Sequence, residues 1–202
     1  MDTKEILKKL VSYNTIKDKQ NKEIMDFIEN YLKKYHFTTK RIKKCLIAFN
    51  SDTPNIGFIG HTDTVDFASW DGNPFALQEK DEKLIGLGAC DMKGGIAALL
   101  STIAKIDLTK NKIALYFTHD EEISFQGIKK IKDSIIPENV IIGEPTNNVP
   151  VYGTKGVLEV KIEFFGIKCH SSTPDKGISA IQETIKFIKK MEEYYQSKIK
   201  TE

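Results

Sequence analysis

Three short apolar runs in this chain each stop abruptly on ionisable side chains. Residues 55–60 run into His61-Thr62-Asp63, residues 112–118 into His119-Asp120-Glu121-Glu122, and residues 139–142 into Gly143-Glu144-Pro145-Thr146. Continuous apolar runs of this length, bounded by turn residues, read as strands buried on both faces. Helical periodicity lies between and around them. Ile24, Phe27, Ile28, Tyr31 and Leu32 mark a helix over roughly 19–34, with Asp18 or Asn21 near its start. Further helices are expected over 94–106 and 124–132. Residues 40–49 and a short stretch near 83–86 read as additional strands, with loop chemistry over 66–82. Strands alternating with helices predict an α/β fold: a mixed, mostly parallel sheet with helices on both faces.

The pattern changes after about residue 150. Residues 157–165 alternate apolar and charged side chains, as a half-solvated strand does, and Ile178, Ile181, Ile185 and Ile188 mark a helix. One strand and one helix do not close a stable domain. The expected organisation is therefore a domain over 1–153 and part of a second, smaller α+β domain over 154–202.

Composition narrows the function classes. The chain has 202 residues, 40% of them hydrophobic, which excludes wholesale disorder. It contains no uninterrupted apolar run of the ~18 residues that span a bilayer, and its first residues lack the apolar core of a secretory signal. No membrane association and a cytoplasmic location are expected. Only one of the 30 basic residues is an arginine, Arg41, and the lysines are spread along the whole chain, so no nucleic-acid partner is expected. Cys45, Cys90 and Cys169 are too far apart to suggest a disulfide framework or a cysteine metal site.

In open α/β sheets, ligands bind beyond the carboxyl ends of the strands. His61, Asp63, Glu121, Glu122 and Glu144 follow such ends directly, and Asp91 sits among Gly88, Gly94 and Gly95 just before a helix. One imidazole with several carboxylates suits a borderline divalent ion such as zinc. Taken singly, each residue has a plainer reading: Asp91 as a helix cap, Asp120-Glu121-Glu122 as a solvated turn, His170 as a loop histidine flanked by hydroxyls. His61 and Asp63 lie two apart on extended chain, so both can share one side, and Asp63 can then fix the histidine tautomer. His36 and His119 read as structural.

Taken together the segments are far more specific. Gly60-His61-Thr62-Asp63-Thr64-Val65, Gly88 to Gly95, Asp120-Glu121-Glu122 and Gly143-Glu144-Pro145-Thr146, in that order, resemble the acetylornithine deacetylase / succinyl-diaminopimelate desuccinylase family of metal-dependent amidohydrolases and peptidases. Lys155-Gly156 and residues 166–172 resemble the start of that family's lid or dimerisation domain. The resemblance implies a zinc-exopeptidase-like catalytic domain. His61, Asp91 and Glu144 would hold one Zn2+, with Co2+ or Mn2+ as substitutes. Asp91 would bridge to a second ion that Glu122 also binds. Glu121 would be the general base, Asp63 would orient His61, and His170 would stabilise the oxyanion from a partner subunit's lid. A cis peptide is implied at Asp91-Met92. The implied substrates are N-acyl amino acids or dipeptides, with a homodimer formed through the lid.

Two departures matter. Leu87 replaces the arginine usual before the bridging aspartate. The family's members are about twice this length, and their final metal-binding histidine lies in the second half. All four histidines here fall at or before residue 170. The expectation is a truncated member with a nearly complete first metal site and a defective second one. The alternatives are a non-catalytic metal-binding remnant, a subunit that needs a C-terminal partner, or a dipeptidase or desuccinylase of the same family.

Overall fold

The computed structural model describes residues 1–134, 137–156 and 158–199. The chain divides into two compact units, Met1–Val151 and Tyr152–Glu202.

The first unit begins with α1 (Thr3–Val11) and α2 (Asn21–Lys33), followed by β1 (Thr38–Ile42), β2 (Cys45–Phe49) and β3 (Ile56–His61). A small hairpin follows, β4 (Gln78–Lys80) and β5 (Lys83–Ile85). An irregular turn over Ala89–Lys93 leads into α3 (Gly94–Ile103). Then come β6 (Ile113–Thr118), α4 (Gln126–Ile131) and β7 (Asn139–Ile142). The five-stranded sheet has the order β1-β2-β6-β3-β7. β2 runs antiparallel to both β1 and β6, whereas β6, β3 and β7 are parallel. This is the mixed α/β sheet that the alternation predicts.

The sheet has apolar cover on both faces. Leu46 and Ala48 of β2 and Ile113, Leu115 and Phe117 of β6 pack against α1, α2 and α3, through residues such as Leu10, Ile28, Leu32, Ile96 and Leu100. The intervening residues Cys45, Ile47, Ala114 and Tyr116 point to the opposite face, where Ile131 of α4 meets them. The period of two along each strand produces this partition.

Several boundaries differ from the sequence reading. The stretch over 40–49 is two strands, because Lys43 takes a positive φ of 56° and turns the chain back on itself. Helix α1 has no counterpart in the reading. It is set by a reciprocal cap: Asp2 Oδ1 accepts from Glu5 N at 2.8 Å, and Glu5 Oε2 accepts from Asp2 N at 2.9 Å. Neither Asp18 nor Asn21 caps α2. Its cap position is Gln20, without a side-chain cap bond, and Asp18 is engaged elsewhere.

The second unit holds a 3-10 turn at Pro174–Lys176 and the long helix α5 (Ala180–Ile199). Of the expected strand over 157–165, Val157 lies outside the described residues, and 158–165 form no strand. Among the described residues of this unit, the strand-type pairing is an isolated bridge between Ile167 and Ile178. A strand needs a neighbour to satisfy its backbone groups, and among the described residues 158–165 have none. Phe164 packs on Phe187 at 5.5 Å between ring centroids, but α5 has no buried residue.

Candidate metal centre

Because β6, β3 and β7 are parallel and in register, their carboxyl ends meet at one edge of the sheet. His61 pairs with Thr118, and Ile59 pairs with Ile142. The residues just past those positions therefore share a small volume. The turn over Ala89–Lys93 brings Asp91 to the same place: the His61 backbone N–H points at Met92 Sδ at 3.3 Å, and Met92 is fully buried. The Asp91–Met92 peptide is cis, as the resemblance implies. Asp91 does not cap α3, whose cap position is Lys93.

The imidazole of His61 is the hub, buried to 2% exposure. Its Nε2 lies 3.1 Å from Asp91 Oδ1, 3.7 Å from Glu144 Oε1 and 3.8 Å from Glu121 Oε2. Two donor sets form around it, each with its atoms within 4.8 Å of one another: His61, Asp91 and Glu144; and His61, Glu121 and Glu122. The first is the set that the resemblance implies for one ion. In the second, Glu122 is grouped with His61 and Glu121, whereas the resemblance implies a shared ion with Asp91.

On the far side of the ring, Nδ1 lies 3.0 Å from the Asp63 carbonyl oxygen and 3.5 Å from Asp63 Oδ1. The backbone of Asp63 is thus the nearer orienting group, with its carboxylate behind it. In the neutral ring, Nδ1–H donating to that carbonyl leaves Nε2 as the unprotonated nitrogen that faces the carboxylates. Asp63 Oδ2 also accepts from Glu122 N at 3.1 Å, which ties the β3 end to the acidic turn. Gly95 explains the placement of Glu144. A Cβ there would lie 2.6 Å from Gly143 O, so α3 can approach the β7 end this closely only without a side chain.

The charges are unbalanced. Burial alone would lower His61, but the Asp63 carboxylate, then Glu144 and Glu121, raise it to about 9. Burial, followed by repulsion from Asp91 and Glu121, pushes Glu144 up to about 7 against the pull of His61. Burial and neighbouring carboxylates also raise Glu121 and Glu122. Asp63 is held low despite burial, through His61 and backbone donors of the acidic turn. Five carboxylates around one imidazole are costly without a cation. The donor set, one nitrogen and several oxygens, fits a divalent ion.

His170 lies in the second unit, exposed. Its Nδ1 accepts from Ser172 N at 3.2 Å and lies 2.8 Å from Ser172 Oγ. Two further residues carry no functional motif of their own in the sequence: Lys93, and His119, which reads as structural. Lys93 is buried to 1% exposure and donates to Tyr13 O at 3.0 Å. His119 pairs with Asp18. Their only sequence signal is adjacency: Lys93 stands two residues after Asp91, and His119 directly precedes the acidic turn.

The profile of peptidase family M20/M25/M40 matches residues 57–199. Acetylornithine deacetylase of Buchnera aphidicola subsp. Acyrthosiphon pisum (strain Tuc7) is 35% identical over 184 residues, which cover 85% of this chain and 48% of that protein. The enzyme of the same name from Proteus mirabilis (strain HI4320) is 36% identical over 179 residues, covering 82% and 46%. The chain spans about half the length of the curated relatives it matches. Among solved structures, aminopeptidase PepT from Bacillus cereus ATCC 10987 superposes with a TM-score of 0.65 at 20% identity, over 93% of this chain and 56% of that one. A tripeptidase from Staphylococcus aureus gives 0.64 at 18% identity, over 93% and 55%. The fold is shared with these peptidases. Among the described residues, no helix is long and apolar enough to cross a membrane.

Proposed function

Since the chain belongs to peptidase family M20/M25/M40, we propose that it is built to hydrolyse the amide bond of N-acyl amino acids with a divalent ion, most like an acetylornithine deacetylase. The observation that carries this reading is the convergence of Asp91, Glu121 and Glu144 on His61 Nε2. His61, Asp91 and Glu144 would hold the first zinc, and Glu122 would contribute to a second. Co2+ or Mn2+ can serve the same oxygen-rich set. A bound divalent ion would lower the pKa of water towards neutrality and polarise the scissile carbonyl.

Glu121 is the proton carrier. Its Oε2 lies 3.8 Å from His61 Nε2, and burial raises its proton affinity. It takes a proton from the attacking water and delivers it to the leaving amine. Asp63 holds the ring of His61 from behind. The unit over Tyr152–Glu202 would be a lid with a dimer surface, and its His170 would meet the oxyanion in a partner subunit's site.

A second reading has its own support. The chain spans about half the length of its relatives, and Ile141 and Ile142 on the edge strand β7 stand exposed. In that reading the chain holds the ion, but turns over substrate only with a polypeptide that supplies the remaining half.

Zinc titration of chelator-treated chain, followed by assay on N-acetylornithine, tests both. At least one tight equivalent, lost in Glu144→Gln, is expected. Hydrolysis by the chain alone favours the first reading, and zinc binding without hydrolysis the second. No zinc binding above background would overturn both.

A further inference from the structure

The turn over 119–122 carries two of the carboxylates, and its own conformation needs support. Asp120 sits at a positive φ of 61° and Phe125 at 56°, the left-handed region that non-glycine residues avoid. Besides the bonds from Ser124 N and Phe125 N to Asp120 O and from Ser124 Oγ to Asp120 Oδ2, the turn is held by contacts with other parts of the fold. Asp63 Oδ2 accepts from Glu122 N. On the α4 side, a Cβ on Gly127 would lie 2.2 Å from His119 O, so that helix is pressed directly on the turn's backbone. The third contact comes from a residue 101 positions earlier: His119 Nδ1 lies 2.9 Å from Asp18 Oδ2.

This third contact is built rather than incidental. His119 and Asp18 have side-chain exposures of 11% and 12%. Lys44 Nζ adds a second donor to the same Asp18 oxygen at 3.1 Å. Asp18 Oδ1 is buried without a hydrogen-bond partner. The loop that delivers Asp18 is itself unfavourable, since Lys17 and Asp18 are both left-handed, at φ 48° and 60°. Two strained residues and a half-satisfied buried carboxylate persist only where surrounding structure holds them. What they reach is the residue that begins the acidic turn.

We propose that His119 is a positioning residue: through its buried pair with Asp18 it fixes the turn so that Glu121 and Glu122 face His61. The inference rests on the metal-site reading above for its consequence, but not for the clamp itself. His119 Nδ1–H donates to Asp18. Removing that bond releases the restraint that reaches the turn from the Asp18 loop, and the two glutamates lose their fixed aim.

The test uses the full 202-residue chain with three variants: His119→Leu, Asp18→Leu, which removes the acceptor, and His119→Asn, whose side-chain amide donates from nearly the place of Nδ1. Two quantities are read: zinc affinity by calorimetry, and amide hydrogen exchange over residues 119–124 without metal. Loss of the outer support of a metal site commonly weakens metal binding by about 10–100-fold. His119→Leu and Asp18→Leu are expected to fall about tenfold in zinc affinity. Exchange should rise about tenfold over 119–124, with protection in α1 to α3 unchanged. His119→Asn should stay near wild type in both. Unchanged exchange in His119→Leu and Asp18→Leu, or exchange raised equally throughout the unit, would overturn the proposal. Wild-type chain that binds no zinc would overturn the metal reading alone, and exchange would still decide the clamp.

Discussion

Replacing Lys93 with methionine should turn a nearly flat dependence of stability on pH between 7 and 9 into a falling one. Lys93 is 1% exposed, and its Nζ donates to Tyr13 O. Burial pulls the ammonium down from 10.5 to about 7, with only the Asp63 carboxylate acting to raise it. Between those values the unfolded chain binds a proton that the folded chain does not. Stability therefore rises with pH from about 7 to 10.5, and the penalty is full below about 7. At 1.36 kcal/mol per pH unit, the ceiling is about 5 kcal/mol, and relaxation around the site reduces it to roughly 2–3. His61 works in the opposite sense. Raised from 6.5 to about 9, it contributes stability that is complete below about 6.5 and lost as pH climbs through 9. In wild type the two trends oppose one another between pH 7 and 9. In Lys93→Met only the histidine trend remains, so stability should fall steadily across that range. Near pH 6.5 the variant no longer buries an ammonium, but it leaves Tyr13 O without its donor, worth about 1–3 kcal/mol. It should therefore lie close to wild type there. Urea denaturation of chelator-treated protein at half-unit steps from pH 6.5 to 10 measures this. Parallel curves for the two proteins would refute the assignment of the buried charge.

Other outcomes follow from the same geometry. Zinc must displace the proton that His61 holds up to about 9 and, below about 7, the one on Glu144, so affinity should rise with pH across 6–9; calorimetry in buffers of different ionisation enthalpy should show proton release at pH 7. Phe117→Ala empties a fully buried position between β6 and the three helices and should cost about 3–5 kcal/mol in urea denaturation. Arg41→Ala removes bonds to Asp26 and Glu29 at 2.9 and 2.7 Å that tie β1 to α2, and should cost about 1–2 kcal/mol. Gly95→Ala places a methyl 2.6 Å from Gly143 O, so Glu144 must move, and zinc affinity should fall while α1 and α2 keep their protection from exchange.

Much of the donor cluster was legible because strand chemistry is local. An apolar run with a polar stop announces both a buried strand and what lies at its end. Parallel neighbours then bring those ends together without any further information. His61, Glu121, Glu122 and Glu144 are of this kind. Asp91 was less legible from its surroundings, since an aspartate before a helix has the look of a cap. It was the company of the other motifs that set it apart. The strand expected over 157–165 failed for the complementary reason. Alternation announces what a segment can do, and pairing requires a neighbour that residues 158–165 lack among the described residues.

The illegible parts share a different physics. Lys93 reads as one more surface lysine, because side-chain type predicts exposure only on average. Its burial is fixed by the α1 end, about 80 residues away, which supplies the carbonyl of Tyr13. Asp18 reads as a cap for α2, because a cap is the commonest local use of an aspartate at that spacing. The structure diverts it to His119, and α2 starts without a side-chain cap. A residue that forgoes a favourable local bond for a distant one, on strained backbone, reports a demand made elsewhere in the fold. Here the demand comes from the acidic turn: carboxylates that repel one another do not stay grouped on one imidazole unless the backbone beneath them is held from several sides. The imidazole and carboxylates of the donor cluster lie on the sequence where a motif can find them, whereas the residues packed beneath them are scattered over about 100 positions and become visible only when the chain is folded.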